Sequence, residues 1–168
     1  MMDSSPSPQP LVPSPSAFMQ AAIAEALAGV AAGRGGPFGC VIVKDGQIVG
    51  RGCNCVPSTN DPTAHAEIVA IRDASQRLGA FHLAGCELYA SCEPCPMCLA
   101  AIYWARIERY YFACTAADAE AIGFSDALIR REFALPPAAR SIPAAQLLRD
   151  ESLAAFQAWL ANPDRVPY

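Results

Sequence analysis

Long apolar runs are missing from the sequence. No stretch reaches the roughly eighteen consecutive apolar residues that a transmembrane helix requires. The nearest approach, residues 17–33, is interrupted by Gln20 and Glu25, and no Lys or Arg precedes it, so the pattern of a secretory signal is missing too. We therefore expect a cytoplasmic protein that has no membrane partner.

Positive charge is scarce. Twelve Lys and Arg residues stand against sixteen Asp and Glu residues, the formal net charge is −4, and Lys44 is the only lysine. Nucleic-acid-binding domains usually carry a basic patch. We therefore expect no nucleic-acid partner.

The length of 168 residues suits a single domain. Residues 1–15 contain five prolines and four serines, a composition that cannot bury enough apolar surface to become ordered. We expect a disordered Pro/Ser-rich leader at 1–15 and one folded domain at 16–168.

Apolar periodicity predicts strands and helices in alternation. The dipeptide Asp45-Gly46, typical of a tight hairpin, separates the first two strands. The alternation indicates a three-layer α/β/α domain whose sheet is covered by helices on both faces. The predicted strands are 40–44, 47–51, 86–90 and 109–113, and the predicted helices begin near Ser16 and span 63–78, 94–104, 118–122, 126–133 and 144–160.

The sharpest chemical signal combines His65 and Glu67 with Cys95 and Cys98. The two cysteines lie three residues apart at a predicted helix start, so their sulfur atoms can converge on one ion, and the N–H groups of that helix end favour thiolates. His65 adds a nitrogen ligand. Three protein ligands leave a fourth tetrahedral position for water, which is typical of catalytic zinc. Glu67 can reach that water without being a ligand, so we predict that it shuttles protons.

Two other interpretations of these residues are a structural zinc site and a redox pair of cysteines. A structural site usually needs a fourth Cys or His, and the other histidine, His82, belongs to no such motif. A redox pair would cycle a disulfide and need no metal. The combination of H-x-E with P-C-x-x-C is the signature of zinc-dependent base deaminases, so we favour catalytic Zn²⁺.

Residues 38–126 resemble the cytidine deaminase-like superfamily, and the blocks 59–67 and 91–106 are most similar to those of bacterial guanine deaminases. The resemblance implies a three-layer fold with a five-stranded mixed sheet, a zinc ion at helix ends and a homodimer. It also implies a purine base as substrate, with hydrolysis of guanine to xanthine and ammonia as the reaction.

Two related substrate classes stay open. The tRNA adenosine deaminases share D-P-T-A-H-A-E and the P-C-x-M-C box with this chain. They typically continue with a K-T-G-A-x-G-S-like stretch after the region of the fifth strand. Here the corresponding residues, 116–126, read AADAEAIGFSD, which is similar to guanine deaminases. Cytosine and triazine-type deaminases also remain, because the shared boxes concern the metal chemistry and not the base.

Several residues are predicted to contact the substrate. The Asn54 carboxamide both donates and accepts hydrogen bonds, Phe38 can stack on a flat base, and Asp126 can accept from purine N–H groups. The alternatives are a turn-forming Asn54, a core Phe38 and a helix-capping Asp126. The predicted set is completed by Ala66, Trp104 and Tyr168.

The C-terminal region carries a separate hypothesis. The Pro-rich stretch 135–143 is a plausible hinge through which the helix and tail, residues 144–168, are exchanged between two chains. The resemblance implies that this tail closes over an active site, its own or the partner's, so that Tyr168 covers the base and excludes water.

Overall fold

The predicted sheet lies at the centre of the structure, a computed structural model that describes residues 14–168. Its strands are β1 (Gly39–Lys44), β2 (Gln47–Cys53), β3 (Cys86–Cys92) and β4 (Arg109–Cys114). They are ordered β2-β1-β3-β4, with β3 and β4 parallel and the other neighbours antiparallel. Asp45 and Gly46 form the β1–β2 turn with φ values of 49° and 73°, as a tight hairpin turn requires.

The helices follow the predicted order, with one short addition. Ser14 caps the first helix and Pro15 is its first residue, so these two residues of the predicted leader belong to the fold; residues 1–13 lie outside the described part. A short helix occupies part of the predicted loop 54–62. The helices are α1 (Pro15–Ala31), α2 (Val56–Thr59), α3 (Ala66–Leu78), α4 (Pro96–Trp104), α5 (Ala116–Ala121), α6 (Ala127–Ala134) and α7 (Arg149–Ala161), with a 3₁₀ turn at Pro137–Ala139.

Three layers are present, as predicted. Side chains of β1 alternate between the two faces of the sheet. Val41 and Val43 point towards α1 and pack with Phe18 and Tyr89. Cys40 and Ile42 point the other way, into the core under α3 and α4.

The five-stranded sheet implied by the resemblance is wrong for this chain, because the described residues form four strands. After β4, Thr115 and Asp118 form a reciprocal capping box that starts α5 and turns the chain out of the sheet. The three prolines of the stretch 135–143 lack the N–H donors that strand pairing uses. No later segment of residues 115–168 adds a strand beside β4.

Glycine and alanine set the distance between helices and sheet. A Cβ atom on Gly52 of β2 would lie 2.3 Å from the carbonyl oxygen of Ala66 and 2.6 Å from the nitrogen of Ala70, both in α3. A Cβ atom on Gly39 of β1 would lie 2.2 Å from the carbonyl oxygen of Ala22 in α1. The helix backbones therefore rest directly on the strands, and α3 is held close to β2.

The helices after β4 are anchored differently. None of α5, α6 and α7 contains a buried residue. The C-terminal third of the chain thus has little apolar core of its own.

Among the described residues, no helix has the length and apolar character needed to cross a membrane.

Replacing Gly52 with alanine should lower the free energy of unfolding by about 1–3 kcal/mol, because the added methyl group has no room against the α3 backbone. Urea denaturation of the purified protein measures this. Gln47→Ala, at the exposed start of the same strand, is the matched control and should stay within about 0.5 kcal/mol of the wild type. Equal stability of the Gly52→Ala variant would contradict the close helix–sheet contact.

Candidate active site

A cavity of about 500 Å³ opens beside the starts of α3 and α4. This volume is typical of a pocket for a small molecule. Three of the four predicted metal-site and catalytic residues line it directly: His65, Glu67 and Cys95. Cys98, the fourth, is fully buried one turn into α4.

The first residue before each helix is a candidate metal ligand. His65 is the N-cap of α3 and Cys95 is the N-cap of α4, both in extended conformation, and neither side chain caps its helix. Cys98 lies in the first turn of α4. The N–H groups at a helix start stabilise negative charge, so this place favours thiolate ligands.

The ligand atoms have the separation that zinc needs. The Nδ1 atom of His65 lies 3.6 Å from the Sγ atom of Cys95 and 3.6 Å from the Sγ atom of Cys98. Tetrahedral zinc with its usual bond lengths to sulfur and nitrogen places such atoms about 3.6 Å apart. Within residues 14–168 these three side chains are the one His/Cys/Asp/Glu group of this kind. The donor set and its spacing fit Zn²⁺.

The same three groups compete for protons. A hydrogen bond from the Cys98 thiol lowers the pKa of Cys95 to about 4, and this contact also raises the pKa of Cys98. The hydrogen bond with Cys95 raises the pKa of His65. One thiolate is therefore already favoured, and a metal ion that binds here displaces the proton of the Cys98 thiol.

Glu67 lies in the first turn of α3, two residues after His65, and its side chain is buried. Burial is the main cause that raises the pKa of its carboxyl group above the usual value. A carboxyl group with a raised pKa exchanges protons more readily near neutral pH. This environment suits the predicted proton shuttle.

Asn54 is buried at the rim of the cavity, and its carboxamide is fixed by the backbone. The Oδ1 atom accepts hydrogen bonds from the N–H groups of Gly36 and Val56, each at 3.2 Å. Since the oxygen is used in this way, the Nδ2 group is the part of the amide that can donate to a molecule in the cavity. The turn role and the substrate role therefore coexist in one side chain.

Aromatic rings form one wall of the cavity. Phe38 meets Phe124 edge to face, with ring centroids 5.0 Å apart and an interplanar angle of 89°. Phe124 was not among the predicted site residues, although it lies within the AADAEAIGFSD block that carried the resemblance. A flat base in the cavity would contact these rings.

Asp126 also lines the cavity, at the N-cap of α6, and its side chain does not cap the helix. Instead, both carboxylate oxygens lie 2.9 Å from the Nε atom of Arg130, one turn later. The cation also reaches Glu93, with Nη2 3.3 Å from Oε1. Sequence reasoning missed Arg130 and Glu93, because nothing in their local pattern marks them.

The remaining predicted contacts lie elsewhere in this chain. Ala66 is buried against the sheet and does not line the cavity. Trp104 and Tyr168 are exposed and contact each other on the surface, with ring centroids 6.3 Å apart. Tyr168 also lies near Phe81. These residues do not close the cavity of their own chain, so their contact with substrate stays a prediction.

Comparison with known proteins agrees with this geometry. Residues 13–114 match the cytidine and deoxycytidylate deaminase zinc-binding region. The chain belongs to this family. Its fold is accordingly cytidine deaminase-like, and the triad of His65, Cys95 and Cys98 is the zinc site of the family.

Two curated relatives match this chain over different lengths. Guanine deaminase of Bacillus subtilis is 53% identical over 151 residues, which cover 90% of this chain and 97% of that protein. A tRNA-specific adenosine deaminase of Aquifex aeolicus is 48% identical over 77 residues, covering 46% of this chain and 51% of that protein.

Solved structures show the same likeness. The X-ray structure of guanine deaminase from Bacillus subtilis superposes with a TM-score of 0.89 at 49% identity, covering 92% of this chain and 99% of that one. A guanine deaminase from Nitrosomonas europaea superposes with a TM-score of 0.65 at 31% identity, covering 86% of this chain and 84% of that one.

Removal of one ligand tests the metal site. Wild-type protein purified without chelators should hold about one zinc ion per chain, and Cys95→Ala should lose most of it, because two ligands bind the ion far more weakly than three. Elemental analysis of the purified proteins measures the content. Cys114→Ala, at an exposed cysteine outside the triad, is the control and should keep its zinc. A full complement in Cys95→Ala would contradict the assignment.

Proposed function

We propose that this chain is a guanine deaminase that hydrolyses guanine to xanthine and ammonia. The extent of the similarity to the Bacillus subtilis enzyme carries the proposal. Its 151 aligned residues extend beyond the family match, which ends at residue 114, and so include part of the segment after β4. That segment supplies Phe124 and Asp126 to the cavity. The similarity to the tRNA-specific relative covers less than half of the chain.

The cavity offers groups that complement a purine base. Phe38 and Phe124 present aromatic surface to a flat ring system, and the Nδ2 group of Asn54 can donate to a ring nitrogen or carbonyl oxygen. The carboxylate of Asp126 can accept from N–H groups of the base. The floor of the cavity, with Glu67 beside the metal ligands, places the hydrolytic groups next to such a base.

The reaction follows from the residues on that floor. His65, Cys95 and Cys98 would hold a zinc ion, which would supply an acidified water molecule as a nucleophile near neutral pH. Glu67 accepts a proton from the attacking water and delivers it to N3 of guanine, which makes C2 electrophilic. After addition at C2, Glu67 takes the proton of the new C2 hydroxyl group and passes it to the amino group, which leaves as ammonia; the hydroxyl oxygen becomes the C2 carbonyl oxygen of xanthine.

A free base is the proposed substrate, and no nucleic acid is a proposed partner. The net charge of −4 opposes binding to a phosphate backbone, where affinity depends on cationic side chains. The proposed location is the cytoplasm, supported by eight cysteines of which none forms a disulfide.

A homodimer completes the proposal. The helices α6 and α7 bury no residue, and the C-terminal part of the chain exposes many large apolar side chains that a second copy would cover. They include Phe133, Ile142, Leu147, Phe156, Trp159 and Leu160. With residues 144–168 exchanged between chains, Tyr168 of one chain would approach the cavity of the other. This arrangement would exclude water from the base.

A substrate panel tests the function. Among guanine, adenine, cytosine, triazines, their nucleosides and a tRNA anticodon stem-loop, guanine should release ammonia with the highest kcat/KM. Glu67→Gln is the matched control: it should retain zinc but lose activity on the order of a hundredfold or more, because an amide cannot shuttle protons. Faster deamination of cytosine or of the tRNA would overturn the substrate assignment, and near-normal turnover by Glu67→Gln would remove that residue from the mechanism.

Truncation tests the role of the tail. Deletion of residues 163–168 should leave the zinc content and the dimeric state unchanged. It should lower kcat/KM for guanine on the order of tenfold or more, because the tail no longer shields the bound base from water. Steady-state kinetics and light scattering provide the readouts. Tyr168→Phe keeps the ring and should stay near the wild type, whereas unchanged kinetics in the truncated protein would refute the cover.

A further inference from the structure

One wall of the cavity depends on few apolar contacts. The segment from α5 to α6 supplies Phe124, Asp126 and Ile129 to the lining, yet neither helix contains a buried residue. Burial of apolar side chains therefore cannot be the main force that holds Asp126 in place. Polar contacts must contribute a larger share.

Arg130 makes the contacts that connect this wall to the rest of the site. Its Nε atom lies 2.9 Å from each carboxylate oxygen of Asp126. Its Nη2 group lies 3.3 Å from Oε1 of Glu93 and donates to the carbonyl oxygen of Pro94 at 3.4 Å. Pro94 directly precedes the metal ligand Cys95, so one guanidinium group connects the wall of the cavity to the backbone beside that ligand.

Glu93 is itself held at two further points. Its N–H group donates to the carbonyl oxygen of Cys114 at 2.8 Å, and its Oε2 atom accepts from the N–H group of Ala116 at 3.1 Å. These contacts fix Glu93 to the end of β4 and to the start of α5. Arg130 thus pairs with a carboxylate whose position is set by the sheet.

We propose that Arg130 is a positioning residue for the purine base: it holds the Asp126 carboxylate towards the cavity by tying it to Glu93 and the Pro94 carbonyl group. The inference deepens the proposed function and rests on it. Because the guanidinium group has several N–H donors in a fixed plane, it can serve all three acceptors at once. A lysine ammonium group would serve fewer of them in this geometry.

The expected consequence is a loss of substrate binding with little loss of stability. The side chains of Arg130, Glu93 and Asp126 are 39%, 30% and 19% exposed, and ion pairs this accessible to water contribute little to the free energy of unfolding. The chemical groups at the metal site are unchanged when Arg130 is replaced. The effect should therefore appear in KM far more than in kcat.

Steady-state kinetics of Arg130→Met and Arg130→Lys test whether Arg130 supports substrate binding. For Arg130→Met, KM for guanine should rise by about tenfold, as for the loss of a charge-assisted contact, with kcat changed less than about threefold and zinc content unchanged. Arg130→Lys should recover part of the loss. Arg131→Met, at the neighbouring arginine, is the matched control and should behave as the wild type. An unchanged KM in Arg130→Met, or a fall confined to kcat, would overturn the proposal.

A double-mutant cycle tests whether Arg130 acts through Asp126. Binding of 8-azaguanine is measured by calorimetry in the Glu67→Gln background, where turnover is blocked. Arg130→Met should weaken binding about tenfold when Asp126 is present and less than about twofold in Asp126→Ala, because contacting residues are not additive. An equal effect in both backgrounds would refute the coupling.

The two levels of proposal fail in different ways. A wild-type enzyme that leaves guanine untouched would overturn the proposed function and this inference with it. A wild-type enzyme that deaminates guanine, together with an unaltered Arg130→Met variant, would overturn this inference alone.

Discussion

The convergence of two helix starts at one end of the strands is the constraint on which the active site depends. α3 begins directly after His65 and α4 directly after Cys95, so each helix start positions a ligand. The first-turn N–H groups of both helices then contribute positive potential at the same point. A shift of either helix by a fraction of its pitch would separate the ligand atoms, which lie 3.6 Å apart.

The position of α3 is in turn fixed by side-chain size at its contact with β2. Ala66 stands between His65 and Glu67 in the sequence, and its carbonyl group rests over Gly52, where no Cβ atom fits. Glu67, the next residue of the same helix turn, is buried, and burial raises the pKa of its carboxyl group. Packing between glycine and alanine thus fixes the helix whose start carries both His65 and Glu67.

Features carried by local pattern were predictable from the sequence, and features made by distant pairs were not. Apolar alternation and turn chemistry identified four strands, whereas the fifth strand came from resemblance alone and fails because Thr115 and Asp118 start a helix. The ligand set was predictable because H-x-E and P-C-x-x-C each lie within one helix start. The contact of Arg130 with Glu93 joins residues from separate elements whose spacing has no regular period. Trp104 and Tyr168, far apart in the sequence, are likewise paired only by tertiary structure.

The absence of buried residues in α5 and α6 separates the enzyme into two parts with different evolutionary freedom. Replacements among residues 115–134 remove almost no core, so they change the shape and polarity of the cavity at small cost in folding free energy. Replacements around Gly52 or Ala66 carry a large cost because that packing has no spare volume. Substrate preference can therefore diverge while the metal centre stays constant, which accounts for a family that deaminates different bases with one zinc site.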